Sequence, residues 1–162
     1  MAWLPAQTLA ELKNGRAPGK FEVYAMVEAP RQLEYADCSP GDFEQVLAAM
    51  PSMDKLVAGK TGQIEVEMNS RLQSPGAKPI EVGRPEMLGT LSRKTDAAGI
   101  AMLMAYKQSD SSVTMAGGMA VLRIRQRLLY AYLFHKYESP HTVVWLQKNL
   151  GPWSDSILAS NR

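Results

Sequence analysis

One stretch constrains the fold more than any other: Val121-Leu-Arg-Ile-Arg-Gln-Arg-Leu-Leu-Tyr-Ala-Tyr-Leu-Phe134. It reads as two strands joined by a tight polar turn near Gln126. In the second arm Leu128, Tyr130, Tyr132 and Phe134 fall on one face, and Leu129, Ala131 and Leu133 on the other. A strand that is apolar on both faces needs cover on both, which places this one in the middle of a sheet.

The remaining segments read as partners or covers for that hairpin. Pro5 to Lys13 has the spacing of a short helix, with Leu4, Leu9 and Leu12 on a face and Gly15 at its end. Phe21 to Val27 alternates as a strand with one buried face. Glu28 to Pro40 has no period and reads as a loop. Asp42 is expected to cap a helix whose stripe is Phe43, Val46, Leu47 and Met50, with Pro51 interrupting it and a second short turn over Met53 to Val57. Gln63 to Leu72 alternates as a strand, with Ile64, Val66 and Met68 inward and Glu65, Glu67 and Asn69 outward. Ser74 to Pro79 is an expected exposed loop.

Further on, Ile80 to Val82 suits a brief edge strand, and Met87 to Lys94 a longer one. Thr95 to Gly99 turns the chain into the strand Ile100 to Lys107, and Ser109 to Ser112 turns it into Val113 to Arg125. Gly117-Gly118 predicts a bulge or the close approach of a neighbouring backbone. Ser139-Pro140 supplies a cap and first-turn proline for a helix to about Leu150. That helix is expected to break at Gly151-Pro152 and resume with Trp153, Ile157 and Leu158 on one face. Clustered hairpins with segregated helices define the α+β class: one domain over residues 1–162, with a mainly antiparallel sheet of about five to seven strands covered by helices, ending in a helix that carries tryptophan.

Composition sets limits on function. At 162 residues the chain buries roughly 70 % of its unfolded surface. A formal charge of +2 and a pI near 8.7 argue against a dedicated nucleic-acid binder. The single Cys38 makes no internal disulfide. No apolar run approaches the roughly 20 residues of a membrane span, and the first residues lack a signal peptide's basic and apolar regions. The compartment is left open by these features: cytoplasmic, or periplasmic if a leader has been removed.

Few residues carry the pattern of a reaction. Gly59-Lys60-Thr61 lacks the earlier glycine of a phosphate loop, since Asp54 stands there, and reads as a surface turn. His135 and His141, with Glu138 between them, lie at the corner between the last strand and the last helix. Two imidazoles and a carboxylate are zinc-ligand types, although the spacing is not that of a helical pair. Cys38 lies in a proline-containing loop with no nucleophile signature, and no serine sits in a G-x-S-x-G elbow. Arg123, Arg125 and Arg127 alternate, so in one regular strand all three project from one face, and Lys136 extends the charge. Such a stripe suits an anion or an acidic partner, and equally a solvated edge. Of ten methionines, Met102, Met104, Met115 and Met119 are expected near each other; thioethers hold copper(I), and they also fill cores.

The segment from Gly118 through Tyr132, then Tyr137-Glu-Ser-Pro, Trp145 and Trp153-Ser-Asp-Ser-Ile-Leu-Ala-Ser-Asn161, resembles the closing hairpin and helix of Mog1/PsbP-like domains. The resemblance covers about the last 60 residues as an outline of elements, without a catalytic motif. It implies a non-enzymatic accessory or protein-binding domain, with a place in a bacterial envelope assembly among the options. The alternatives from the residues alone are a small hydrolase or metal-dependent enzyme using His135 and His141, and an anion-binding module using Arg123, Arg125 and Arg127. No cofactor is implied.

Overall fold

The computed structural model describes residues 2–3, 23–29, 37–52, 59, 61–63, 65–66, 69–70 and 78–161. The helix expected over Pro5 to Lys13 and the turn over Met53 to Val57 lie outside them. So do most of the Glu28 to Pro40 loop and the start of the loop before Pro79.

The fold is α+β. Among the described residues, seven strands form one antiparallel sheet: β1 (Ala2–Trp3), β2 (Val23–Glu28), β3 (Glu81–Val82), β4 (Glu86–Lys94), β5 (Ala97–Gln108), β6 (Ser111–Ile124) and β7 (Arg127–Lys136). Their order is β1-β2-β7-β6-β5-β3, and β4 shares the outer side of β5 with β3. Helix α1 (Pro40–Ala49) covers one face and helix α2 (Pro140–Ser160) the other.

β7 lies between β2 and β6, as its two apolar faces require. Leu128, Tyr130 and Tyr132 join Val121, Met119, Ile100 and Met102 in a core closed by Phe43 and Leu47 of α1 and by Met50 at its C-cap. Leu129, Ala131 and Leu133 join Ala116, Ala120 and Leu122 in a second core, closed by Leu146 and Leu150 of α2. The second face is paved with small residues, so α2 lies close to the sheet. Leu150 and Leu146 are essentially fully buried there, each contributing about 2 kcal/mol relative to an exposed side chain.

Gly117 and Gly118 show why the middle of β6 is small. The register with β5 and β7 runs through both residues without a bulge. Neighbouring residues of a strand face opposite sides. A Cβ on Gly117 would stand 2.9 Å from the Phe134 ring, and one on Gly118 would stand 3.1 Å from Leu150 Cδ2. The close approach is made by side chains, one on each face of the sheet, and the expected bulge or neighbouring backbone is not the reason.

Other expectations are corrected. Ser39, and not Asp42, is the cap of α1. Its hydroxyl accepts from Asp42 N at 3.2 Å while the Asp42 carboxylate accepts from Ser39 N at 2.9 Å, a reciprocal capping box. The described residues between 59 and 70 are helical, where Gln63 to Leu72 was expected to be a strand and Gly59-Lys60-Thr61 a turn. Ile64, Met68 and Leu72 also recur at helical spacing, and Val66, expected inward, is 70 % exposed. Glu65 and Asn69, one helical turn apart, serve the edge strand. Val82 N donates to Glu65 Oε2 at 3.1 Å, and Ile80 exchanges two bonds with the Asn69 amide at 2.7 and 2.9 Å.

The first turn narrows to Thr95-Asp96 and the second to Ser109-Asp110. Helix α2 runs through Gly151-Pro152 without the expected break. On β4, Gly89 has φ +121° and two register shifts fall between Met87 and Ser92. Bulges and the exposed Arg93 and Lys94 disfavour further pairing along this edge.

Candidate functional site

The described residues form a cleft of about 400 Å³ where two hairpin turns meet the end of α2. Lys94 ends β4 and Thr95 and Asp96 form the turn into β5; Arg123 and Ile124 end β6 and Arg125 and Gln126 form the turn into β7. Asp155, Leu158 and Asn161 come from α2 and its C-cap. The β6–β7 turn holds Arg125 and Gln126 at φ 48° and 64°, the left-handed pair that suits a two-residue hairpin loop. Gln126 O accepts from Cys38 N at 2.6 Å, which ties the loop before α1 to this turn.

The charges of the cleft are largely matched. Arg123 donates to Asp96 Oδ1 from Nε at 2.9 Å and from Nη2 at 2.5 Å, and its backbone N donates to Asp96 O at 2.9 Å. Lys94 Nζ lies 2.6 Å from both carboxylate oxygens of Asp155. Arg125 donates from Nε to Asn161 O at 3.0 Å. Among the described residues, no carboxylate pairs with Arg125.

The basic stripe is divided by this geometry. Arg123 stands opposite Leu128 and Arg127 opposite Ile124. Adjacent residues of β7 face opposite sides, so Arg123 and Arg127 do too, and Arg125 occupies the turn between them. The expectation of one face failed because the alternation was counted through a turn. Arg127 lies 3.7 Å from Asp37, and Lys136 at the far end of β7 lies 3.7 Å from Glu138.

The histidine corner is organised by packing. His135 Nδ1 is 2.6 Å from Lys136 O, and its ring meets Trp145 of α2 edge-on at a centroid distance of 5.0 Å. His141 is exposed on the first turn of α2. Glu138 N donates to Thr142 Oγ1 at 3.3 Å, closing that turn. Among the described residues, no three His, Cys, Asp or Glu side chains are grouped to hold a metal ion.

Cys38 is buried beside α1. Burial pushes its thiol pKa up, the Asp42 carboxylate adds to the rise, and Arg123 opposes it. Such a thiol is a poor nucleophile. Met102, Met104 and Met119 sit in the core under α1, and Met104 pairs with Met115 across β5 and β6. Met104 Sδ accepts from Tyr106 Oη at 3.0 Å. On the same face Tyr130, Tyr132 and Phe134 form a ladder with ring centroids 6.2 and 6.1 Å apart.

Sequence reasoning named Arg123 and Arg125 of the cleft and missed Lys94, Asp96, Asp155 and Asn161. These come from two segments far apart in sequence from each other and from the arginines, and no spacing within one segment announces them. Among the described residues, no helix is long and apolar enough to cross a membrane. No family model, no curated protein and no solved structure matches this chain.

Proposed function

We propose that this chain is a non-catalytic domain that binds another protein as an accessory part of a larger assembly, with the bacterial envelope as one setting. The observation that carries the reading is His135. Its ring is packed against Trp145 and its Nδ1 faces Lys136 O, so the strand–helix corner uses it as a structural residue. Arg123 is engaged in the same way by Asp96. The resemblance of the closing hairpin and helix to Mog1/PsbP-like domains supports the same reading. Exposed Leu88 on β4 and Val144 on α2 are apolar positions from which contact with a partner is readily probed.

Two assays test it. The purified chain, with and without zinc, is given chromogenic carboxylic and phosphoric esters; no turnover above buffer is expected. Turnover that disappears in His135→Ala or His141→Ala would replace the binding role with a hydrolase. A photocrosslinker placed at Leu88 or Val144 in the cell of origin is expected to trap one defined protein, whereas the same group at buried Leu122 traps none.

A second reading has one observation behind it. Arg125 faces the cleft with its Nε bonded only to a neutral carbonyl, which favours weak anion binding there. Titration with inorganic phosphate, compared with Arg125→Ala, decides it: the reading requires saturable binding that the substitution removes.

A further inference from the structure

We propose that the last two turns of α2 form a latch, which pivots at Gly151-Pro152 and opens away from the sheet while the first half of the helix stays in place. This goes beyond the binding role and does not rest on it. Three features that weaken a helix fall within one turn. Pro152 lies inside α2 and has no N–H, so the carbonyl of Lys148, four residues earlier, receives no helical hydrogen bond from it. Gly151 precedes it, and a Cβ there would meet nothing within 4 Å, so no crowding demands a glycine. Gly and Pro are the two residues least suited to a helix interior. Ser154 Oγ donates back to Leu150 O at 2.7 Å, a side-chain bond that competes with the helix's own ladder and favours bending.

The two halves are attached differently. Before the pivot, Leu146 and Leu150 are buried at 0 and 1 %, and Leu150 Cδ2 reaches over Gly99 and Gly118 in the sheet. After it, Trp153, Ile157 and Leu158 are only partly buried. Ser154 is the buried residue of this half, and two of its ties to the hairpins are polar and near solvent: the Lys94–Asp155 ion pair, and the bond from Arg125 to Asn161 O. Exposed pairs of this kind hold weakly. Both join the distal half to the hairpin turns, so the cleft has one wall fixed on the sheet and the other on the movable segment. Opening widens the cleft and uncovers the apolar faces of Trp153, Ile157 and Leu158.

Hydrogen exchange on the full chain tests the latch, comparing amides 141–150 with 153–161. The distal amides are expected to exchange at least about 10-fold faster. Fraying from a free helix end gives a similar gradient, so the variants decide. The double variant Gly151→Ala with Pro152→Ala is expected to bring the distal rate towards that of the proximal half. Lys94→Met, which deletes one catch, is expected to raise only the distal rate, and it serves alone if the double variant does not fold. Equal protection of both halves in the parent overturns the proposal. So does a gradient that neither variant moves.

Discussion

Phe134 holds its ring against Gly117, its partner across the β6–β7 ladder, so closely that a Cβ at Gly117 would stand 2.9 Å from the ring. Phe134 stacks in turn on Tyr132 at 6.1 Å, so the ring is not free to swing aside without disturbing the ladder. Gly117→Ala would ordinarily gain from a stiffer unfolded chain. Here overpacking is larger, and a net loss of about 1–2 kcal/mol is expected in urea unfolding. The same substitution made on Phe134→Leu should cost markedly less. An equal cost in both backgrounds would show that the ring is not what excludes the methyl group.

Asp96 and Arg123 make an asymmetric pair. The arginine side chain is 16 % exposed and the aspartate 39 %. Removing the carboxylate leaves a mostly buried guanidinium without its partner, whereas removing the guanidinium leaves an aspartate that water reaches. Asp96→Ala is expected to lose about 1–2 kcal/mol after allowance for solvent screening, and Arg123→Met less. Chemical denaturation of both variants checks the order, and the reverse order would mean that the aspartate serves the turn more than the ion pair.

Acid should act on α1 through its cap. Hydrogen bonds from the Ser39 side chain and then its backbone amide hold the Asp42 carboxyl below its usual range. A carboxyl depressed in the folded state contributes stability above its unfolded pKa, near 3.9, and loses it as pH falls through the folded value. Asp42→Asn is therefore expected to melt lower than the parent at neutral pH. Its melting temperature should fall less than the parent's on going from about pH 5 to about pH 2.5. Parallel curves would remove the capping carboxylate from the acid response. Ser39→Ala, which deletes the cap itself, is expected to cost about 1 kcal/mol.

Alkali should act on the aromatic ladder. Burial raises the Tyr132 pKa, and the Glu28 carboxylate, which accepts its hydroxyl, raises it further; Tyr130 is raised by burial and then by Glu28. A tyrosine whose folded pKa is raised stabilises fully below its unfolded value, near 10, and that stability is lost as pH rises through the folded one. Tyr132→Phe is expected to flatten the fall in stability above about pH 10 and to remove late tyrosinate absorbance from an ultraviolet titration. An unchanged titration would mean that the phenol ionises freely in the folded chain.

The central place of β7 was readable because pattern and burial agree. Leu128 to Phe134 is apolar on both faces, and β7 is covered on both faces. Ile80 to Val82 was legible as an edge for the same reason. Gln63 to Leu72 was not, because a run with apolar residues at every second position also contains Ile64, Met68 and Leu72 at helical spacing, so the pattern fits both periods, and the described residues of the run are helical. Pro152 was expected to break a helix on local grounds, but Trp153 and Ile157 beyond it still pack against the core on the sheet. The cleft was the least legible part. Arg123 and Arg125 were visible as charges, but their partners Asp96 and Asn161 become neighbours only when two hairpin turns and a helix end converge.

The pairing of β2 with β7 has a consequence for the birth of the chain. Val23 aligns with His135, 112 residues further along the sequence. During synthesis the three-strand meander of β5, β6 and β7 zips from local contacts, whereas β2 waits on the ribosome until its partner emerges. Through that interval Ala25 and Val27 have no sheet to join. A chaperone that shields this early segment, or a synonymous codon change that alters the speed of translation beyond Ser111, should therefore alter yield without altering the finished protein.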